Sequence, residues 1–208
     1  MMATRERFVL RSTLTSPFGR KARMAIDILG LNDRVDIVTA DTLDEADSLR
    51  AQNPLGKMPC LLLADGTPIY DSGVIIEFLQ EVAGRAPLLP TSGLARYKAL
   101  TLARLADGIA EAALLMVYEG RFREPSQFSQ RWLDHQRGKV TRGLAAFERT
   151  PPATTPTDIV GIGLSCALGY LDWRKPMSWR DGYPRVAAWL AEFSKCEPAY
   201  EGTEAPTA

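Results

Sequence analysis

The order of apolar and polar positions divides the first part of the chain into short strands and amphipathic helices. Residues 7–11 form a short β-prone run between polar residues, which predicts a buried first strand. Residues 17–30 begin with proline, carry apolar residues at helical spacing and end in glycine, so they predict a helix. Residues 35–39 alternate as a second strand would, and residues 44–52 are polar enough for a short, exposed helix.

A hairpin and a further helix complete this first region. Residues 60–64 and 68–70 are β-prone runs joined through an Asp-Gly turn, which is a strong local signal of a hairpin. Asp71 and Ser72 then open a helix with a buried apolar stripe that ends near Gly84. The predicted order of elements is therefore βαβαββα.

The remainder of the chain predicts helices and no strands. Residues 85–93 contain two prolines and a glycine with little periodicity, so they predict a linker between two domains. The expected first domain covers residues 1–84, and the expected second domain, all-helical, covers residues 94–208. Within the second domain, residues 94–122 and 126–147 have the pattern of long amphipathic helices.

The end of the chain predicts a buried helix and a surface helix. Thr155 and Asp158 have the spacing of a capping box ahead of the apolar run 159–171, which predicts a buried central helix. A last helix is expected over residues 185–193. The tail after Glu197 is expected to be irregular or frayed.

Composition and charge narrow the classes of function. The 208 residues are 46% hydrophobic and 24% charged, which is typical of a folded, soluble protein. Twenty-five lysines and arginines balance 25 aspartates and glutamates, so no excess positive charge is present to bind nucleic acid or an anionic membrane. The longest weakly polar run, residues 159–171, is too short to span a bilayer. Neither a nucleic acid nor a membrane is expected as a partner.

The cysteines and the single histidine argue against two other kinds of site. Cys60, Cys166 and Cys196 are odd in number, widely spaced and without a C-x-x-C pair, which favours neither a disulfide framework nor a zinc site. A reducing, cytoplasmic location is expected for such a chain. His135 lies among polar helix residues and is interpreted as a surface residue, so we expect no metal site and no histidine triad.

Four motifs carry a resemblance to a known family. They are T-S-P-F-G-R-K-A-R at 15–23, K-M-P-C-L at 57–61, D-S-G-V-I-I-E-F-L at 71–79 and T-P-T-D-I at 155–159. In this order and spacing, the chain resembles the cytosolic glutathione transferases of the serine type. The resemblance implies an α+β fold, with an N-terminal thioredoxin-like βαβαββα domain followed by an all-α helical domain. It also implies a homodimer that takes glutathione as co-substrate.

The candidate glutathione-binding residues are Lys57, Met58, Pro59, Asp71 and Ser72. At the start of a helix, the Ser72 hydroxyl and the first free amides can hold a carboxylate, while Asp71 can accept a hydrogen bond from an ammonium group. The same two residues are also typical of an ordinary helix cap. The resemblance implies a cis bond between Met58 and Pro59 that presents the Met58 backbone to the cysteinyl part of glutathione. Lys57 is a weaker candidate, for the glycyl carboxylate.

The candidate catalytic residues are Ser16 and, second, Ser12. A glutathione thiol is mostly protonated at neutral pH, so catalysis requires that the thiolate be stabilised. Ser16 precedes Pro17 and the first helix, where its hydroxyl can donate to sulfur and the helix dipole favours a negative charge. In the serine-type transferases that the chain resembles, the serine of S-P-F has this role. Ser16 could instead only cap the helix, and Thr13 or Thr15 could supply the hydroxyl.

The leading functional prediction is a glutathione S-transferase that activates glutathione for attack on a small electrophile. The alternatives are a glutathione-dependent isomerase or reductase that uses the same site, and a non-catalytic protein for interaction or stress regulation. The electrophile is expected to bind between the two domains, against the turn 13–18 and the early part of the first long helix. The candidates for this apolar lining are Phe18, Ile109, Ala112, Leu115, Met116 and Tyr118.

Overall fold

The computed structural model describes residues 6–84 and 88–206, which form two compact units. The first unit contains residues 6–84 together with 202–206, and the second contains residues 88–201. The predicted α+β fold class is confirmed, because a thioredoxin-like unit with a mixed sheet is followed by a helical unit.

The sheet of the first unit has four strands in the order β2-β1-β3-β4. Their bounds are Phe8–Ser12 for β1, Val35–Thr39 for β2, Cys60–Leu62 for β3 and Pro68–Tyr70 for β4. Strand β1 pairs parallel with β2 and antiparallel with β3, and β3 pairs antiparallel with β4. The β3-β4 pair is the predicted hairpin.

Three helices belong to the first unit. They are α1 (Pro17–Ile28), α2 (Leu49–Gln52) and α3 (Ser72–Ala83), and α1 packs against α3. Helix α2 is shorter than the predicted segment 44–52. The carboxylates of Asp44 and Asp47 accept hydrogen bonds from backbone N–H groups two residues further on, and such local turns compete with helix formation.

Four longer α-helices and a short terminal one follow in the described part of the chain, together with 3-10 turns over Pro125–Gln127 and Arg180–Gly182. The α-helices are α4 (Gly93–Phe122), α5 (Gln130–Arg149), α6 (Ile159–Arg174), α7 (Pro184–Cys196) and α8 (Pro198–Gly202). Helix α6 is the predicted central helix, and twelve of its residues are buried. It packs mainly against α4.

Three predictions for this region are wrong in detail. Helix α5 does not begin at residue 126, because a 3-10 turn over Pro125–Gln127 comes first and Ser129 caps the helix. The Thr155 capping box does not form, because Asp158 itself caps α6 and its Oδ1 accepts from the Gly161 N–H at 2.8 Å. The tail after Glu197 is irregular only over residues 203–206, because residues 198–202 form α8 and bury Tyr200.

The segment predicted as a linker is only partly exposed. Residues 85–87 lie outside the described residues. Leu88 and Leu89 are buried in the second unit, and the Leu88 carbonyl accepts a hydrogen bond from the Ile159 N–H at 2.8 Å. Among the described residues, no helix has the length and apolar character needed to cross a membrane.

Candidate functional site

The predicted site residues lie next to strand ends on one side of the sheet, after β1 and β4 and before β3. Arg11, the penultimate residue of β1, pairs with Cys60, at the start of β3, and Cys60 pairs with Tyr70, at the end of β4. Neighbouring strands lie about 4.8 Å apart, so these three backbones form one row across the sheet. The turn 13–16, the Met58–Pro59 peptide and the Asp71–Ser72 peptide each continue the chain from this row. Residues far apart in sequence are therefore brought together.

Ser16 lies at the N-terminus of α1 and is half-buried. Its Oγ accepts a hydrogen bond from the Gly19 N–H at 3.0 Å, and Pro17 occupies the first helical position. A hydroxyl can accept and donate at the same time. Because Ser16 accepts from the helix, its own proton is available to a partner outside the helix, at the end where the dipole favours negative charge.

Ser12 has the opposite arrangement. Its side chain is buried, and its Oγ donates to the Thr13 carbonyl at 3.2 Å. The Oγ lies so close to Gly19 that a Cβ at that position would collide with it. The hydroxyl proton of Ser12 is thus used within the turn, whereas that of Ser16 is not.

The other residues of the turn are fixed by their neighbours. The hydroxyls of Thr13 and Thr15 lie 3.1 Å apart, and Thr13 Oγ1 donates to the Met58 sulfur at 3.4 Å. Arg23, a buried residue of α1, donates to the Leu14 carbonyl at 3.1 Å. The turn is therefore tied both to α1 and to the residue before Pro59.

The loop before β3 is organised by Asn53, which the sequence analysis missed. Asn53 is buried, its Nδ2 donates to the Lys57 carbonyl at 2.7 Å, and its Oδ1 accepts from the Leu55 N–H. The Met58–Pro59 bond is cis, as the resemblance implies. An asparagine before a Pro-x-Gly sequence is typical of such side-chain turns, and this signal could have identified Asn53. The Lys57 side chain itself is exposed.

Asp71 and Ser72 form the start of α3. Asp71 is exposed and caps the helix, with its Oδ1 accepting from the Gly73 and Val74 N–H groups at 2.8 and 3.2 Å. Its φ of 73° lies in the left-handed region, which costs a non-glycine residue of order 1–3 kcal/mol. Ser72 is buried at 4% exposure. Backbone strain of this kind is typical of ligand-binding positions.

Behind Ser72 lies a buried lysine that the sequence analysis did not single out. Lys21 of α1 is 1% exposed, and its Nζ donates to the Ser72 Oγ at 3.1 Å. Lys21 precedes Ala25 by four residues and so continues the buried stripe of α1. This helical spacing from Ala25 was the sequence signal that could have indicated burial of Lys21.

The cysteines are divided between the interior and the surface, and His135 lies on the surface as predicted. Cys60 and Cys166 are buried, Cys196 is exposed, and none of the three forms a disulfide. Burial raises the pKa of the Cys60 thiol, so this residue beside Pro59 is a poor nucleophile. His135 is exposed and stacks on Trp132. Within the described ranges, no group of histidine, cysteine or carboxylate side chains could hold a metal ion.

The second unit contains an open cavity of about 360 Å³ at the far end of α4. It is lined by Leu115, Tyr118, Glu119, Phe122, Arg123 and Trp132. Among the lining residues, the buried carboxylate of Glu119 accepts from Arg123 and from the Ser129 N–H. Leu115 and Tyr118 are two of the residues predicted to line an apolar cleft, whereas Ile109, Ala112 and Met116 are buried in the core.

Comparison with known proteins decides the family. A family model for the glutathione S-transferase N-terminal domain matches residues 15–82. An uncharacterized GST-like protein of Escherichia coli K12, YibF, is 33% identical over 96% of this chain and 99% of its own length. The chain belongs to the glutathione S-transferase family. This confirms the resemblance seen in the four motifs.

Solved structures of family members have the same fold. A glutathione transferase family member from Pseudomonas fluorescens Pf-5, solved with bound glutathione, is 39% identical, with a TM-score of 0.89 over 96% of this chain and 99% of that one. A glutathione S-transferase from Methylobacterium radiotolerans, in complex with glutathione sulfonate, is 31% identical, with a TM-score of 0.85 over 97% and 96% of the two chains. Family members that resemble this chain over nearly its whole length therefore bind glutathione.

Proposed function

We propose that this glutathione S-transferase family member binds reduced glutathione where β1 ends and β3 begins, and joins the glutathione thiolate to a small electrophile through a new carbon–sulfur bond. The observation that carries the proposal is the contrast between the two serine hydroxyls of the first turn. Ser16 accepts from the helix and keeps its proton available, whereas buried Ser12 donates its proton within the turn. Ser16 is therefore the proposed catalytic residue, and Ser12 is assigned a supporting role.

The remaining site residues match the other groups of the tripeptide. Asp71 is exposed and ionisable, so it would accept from the γ-glutamyl ammonium, and Ser72 would donate to the adjacent carboxylate. The backbone of Met58, next to the cis bond, would pair with the cysteinyl part. Lys57, which is exposed beside that peptide, would attract the glycyl carboxylate.

Chemically, the Ser16 hydroxyl would donate a hydrogen bond to the sulfur and so favour the thiolate over the thiol. The thiol proton leaves to solvent, and the sulfur electron pair forms a carbon–sulfur bond. In a substitution the leaving group departs with its bonding electrons, and in an addition a proton from solvent completes the product. Hydrogen bonds aimed at a developing negative charge are a general source of catalysis.

The electrophile is proposed to bind in the cavity of the second unit. Three aromatic rings, those of Tyr118, Phe122 and Trp132, line it together with Arg123. Such a lining favours a planar apolar molecule, and the charge of Arg123 is balanced there by its ion pair with Glu119. The Pseudomonas fluorescens family member was also solved with S-(propanoic acid)-glutathione, in which the glutathione sulfur carries an added organic group.

A homodimer is proposed, supported by exposed apolar side chains in the first unit. Leu55, Tyr70 and Val74 are 71%, 40% and 50% exposed. Large apolar side chains of this kind, when contiguous, mark interaction surfaces, and twofold dimers are the commonest soluble assemblies. Leu55→Glu is expected to shift the mass measured by light scattering from dimer to monomer. An unchanged mass would remove Leu55 from the interface.

Isothermal titration of reduced glutathione tests the proposed site. We expect saturable binding by the wild-type protein and binding at least about tenfold weaker in Asp71→Ala, the loss of one charged hydrogen bond. Asp65→Ala is the matched control, because it removes an exposed carboxylate from the turn between β3 and β4, at the other end of these strands, and is expected to leave affinity unchanged. No saturation up to millimolar glutathione would contradict the proposal. Product analysis with candidate electrophiles, with Ser16→Ala as control, then separates conjugation from isomerisation and reduction.

A further inference from the structure

We propose that Lys21 is a positioning residue for the γ-glutamyl carboxylate of glutathione and acts through the Ser72 hydroxyl. The inference rests on the proposed function and concerns a residue outside the predicted site. Lys21 lies on α1 and Ser72 at the start of α3, and the Nζ–Oγ distance is 3.1 Å. Both side chains are buried, at 1% and 4% exposure.

The chemistry of the two groups fixes the direction of this hydrogen bond. A lysine ammonium has three donors and no acceptor, whereas a serine hydroxyl has one proton and two lone pairs. Ser72 must therefore accept from Lys21. One lone pair of the oxygen is then occupied, and the Ser72 proton points to a different partner. Because its oxygen accepts from Lys21, the Ser72 hydroxyl directs its own proton away from Lys21, toward a partner outside the protein.

A second donor lies beside this hydroxyl. Asp71 takes the N–H groups of Gly73 and Val74, and the Ile75 N–H bonds to the Asp71 carbonyl. Among the described residues, the Ser72 N–H has no hydrogen-bond partner. Its hydroxyl and its N–H belong to one residue at a helix N-terminus, where the helix dipole also favours an anion. Two such donors match the two oxygens of a carboxylate.

The positive charge strengthens the arrangement. A hydroxyl that accepts from a cation becomes a better donor, because the bonds of a chain polarise one another and do so more strongly away from water. Lysine is rarely buried in proteins, since removing its charge from water is unfavourable. A link that only held α1 and α3 together would not require a cation. A lysine ammonium at this position can only donate to Ser72.

The test compares two ligands on four proteins. The proteins are wild type, Lys21→Met, Ser72→Ala and the double variant, each checked for folding by circular dichroism. The ligands are reduced glutathione and 4-aminobutyryl-cysteinyl-glycine, which keeps the amino group and the thiol but lacks the γ-glutamyl carboxylate. Affinities are measured by isothermal titration. Methionine has nearly the length of lysine without its charge or donors, so it preserves packing.

We expect Lys21→Met to weaken glutathione binding roughly tenfold, the size of one charge-assisted hydrogen bond. The same change should have less than about a twofold effect on the analogue, and less than about twofold in the Ser72→Ala background, where the coupling is absent. An equal loss for both ligands, or a full loss in the Ser72→Ala background, would show a merely structural role and overturn the inference. Failure of the wild type to bind glutathione would instead contradict the proposed function.

A second pair of variants covers the case in which Lys21→Met does not fold. Arginine at position 21 can only donate, whereas glutamine can also accept and so lets the Ser72 proton turn inward. We expect Lys21→Arg to bind glutathione more tightly than Lys21→Gln, with no such difference for the analogue. Equal glutathione affinity of the two variants, or the same difference for both ligands, would overturn the inference.

Discussion

Helices α1 and α6 are both largely buried, but they bury different chemistry. Helix α1 buries three cations, Arg20, Lys21 and Arg23, at 6%, 1% and 5% exposure. Helix α6 buries apolar residues and glycines along almost its whole length. Burial of a charge is unfavourable unless each charge has a partner, whereas burial of apolar surface stabilises the fold directly. We infer that α1 is built to hold a site and α6 to hold a core.

The largest expected effect is on stability and arises from the core of α6. Leu164 is fully buried, so Leu164→Ala should lower the free energy of unfolding by about 2–5 kcal/mol through lost burial and a residual cavity. Urea denaturation followed by circular dichroism measures this loss. Glutathione affinity of the folded variant should stay within about twofold, because the site lies in the first unit. A large change in affinity at full folding would contradict the division of roles between α1 and α6.

The next effect is on catalysis and concerns the turn before α1. Ser16→Ala should lower kcat roughly a hundredfold, as expected when a donor to a developing charge is lost. Glutathione affinity should change much less, because the γ-glutamyl contacts remain. Ser12→Ala is the matched control, since it removes a hydroxyl from the same turn and should leave kcat within about twofold. The reverse result would assign the catalytic hydroxyl to Ser12.

The charges near the sheet should give the first unit an acid-dependent stability. The backbone N–H groups of Asp41 and Leu49, and then Arg11, hold the pKa of Asp47 below its ordinary value. A lowered pKa adds stability that is present above the ordinary carboxyl pKa and is lost as pH falls through the folded value. Asp47→Asn should therefore be destabilising near neutral pH, with the difference from wild type disappearing in acid. A difference independent of pH would contradict this account.

The smallest effect is expected at the start of α6, where the pH dependence of stability should be opposite in sign to that of Asp47. Burial raises the pKa of Asp158, although its bonds to the Gly161 and Val160 N–H groups lower it. A raised pKa means that the contribution of Asp158 to stability declines as pH rises from the ordinary value through the folded one. Because asparagine caps helices as well as aspartate does, Asp158→Asn should be neutral or slightly stabilising at pH 7. Urea denaturation at pH 4 and pH 7 measures this, and a clear loss at pH 7 would show that the charge itself is required.

Local sequence signals predicted most of the fold. The hairpin of β3 and β4, the helix that Asp71 caps and the long helices α4 to α6 follow from turn residues and apolar periodicity, which act over a few neighbours. The prediction errors occur where a side-chain hydrogen bond or a tertiary contact overrode the local sequence pattern. Residues 44–48 form side-chain turns in place of a helix, and the tail after Glu197 forms α8 because Tyr200 packs on Phe193.

The candidate site was predictable in its residue types but not in its hydrogen bonds. Ser16, Met58, Asp71 and Ser72 follow from motifs, since each stands at an element end with the right chemistry. Asn53 and Lys21 do not, because their importance depends on what they contact. A lysine within a helix is exposed in most proteins, so only the packing of α1 against α3 reveals that Lys21 is buried beside Ser72.

The sequence by itself determined the two-part architecture, the family and the set of polar groups available for glutathione. Short-range periodicity and motif order carry that information along the chain. Only the tertiary structure decided which hydroxyl has a proton to offer and which cation lies behind it. Those properties depend on donors and acceptors brought together across β1, β3, α1 and α3, and hydrogen bonds act over about 3 Å in space rather than along the sequence.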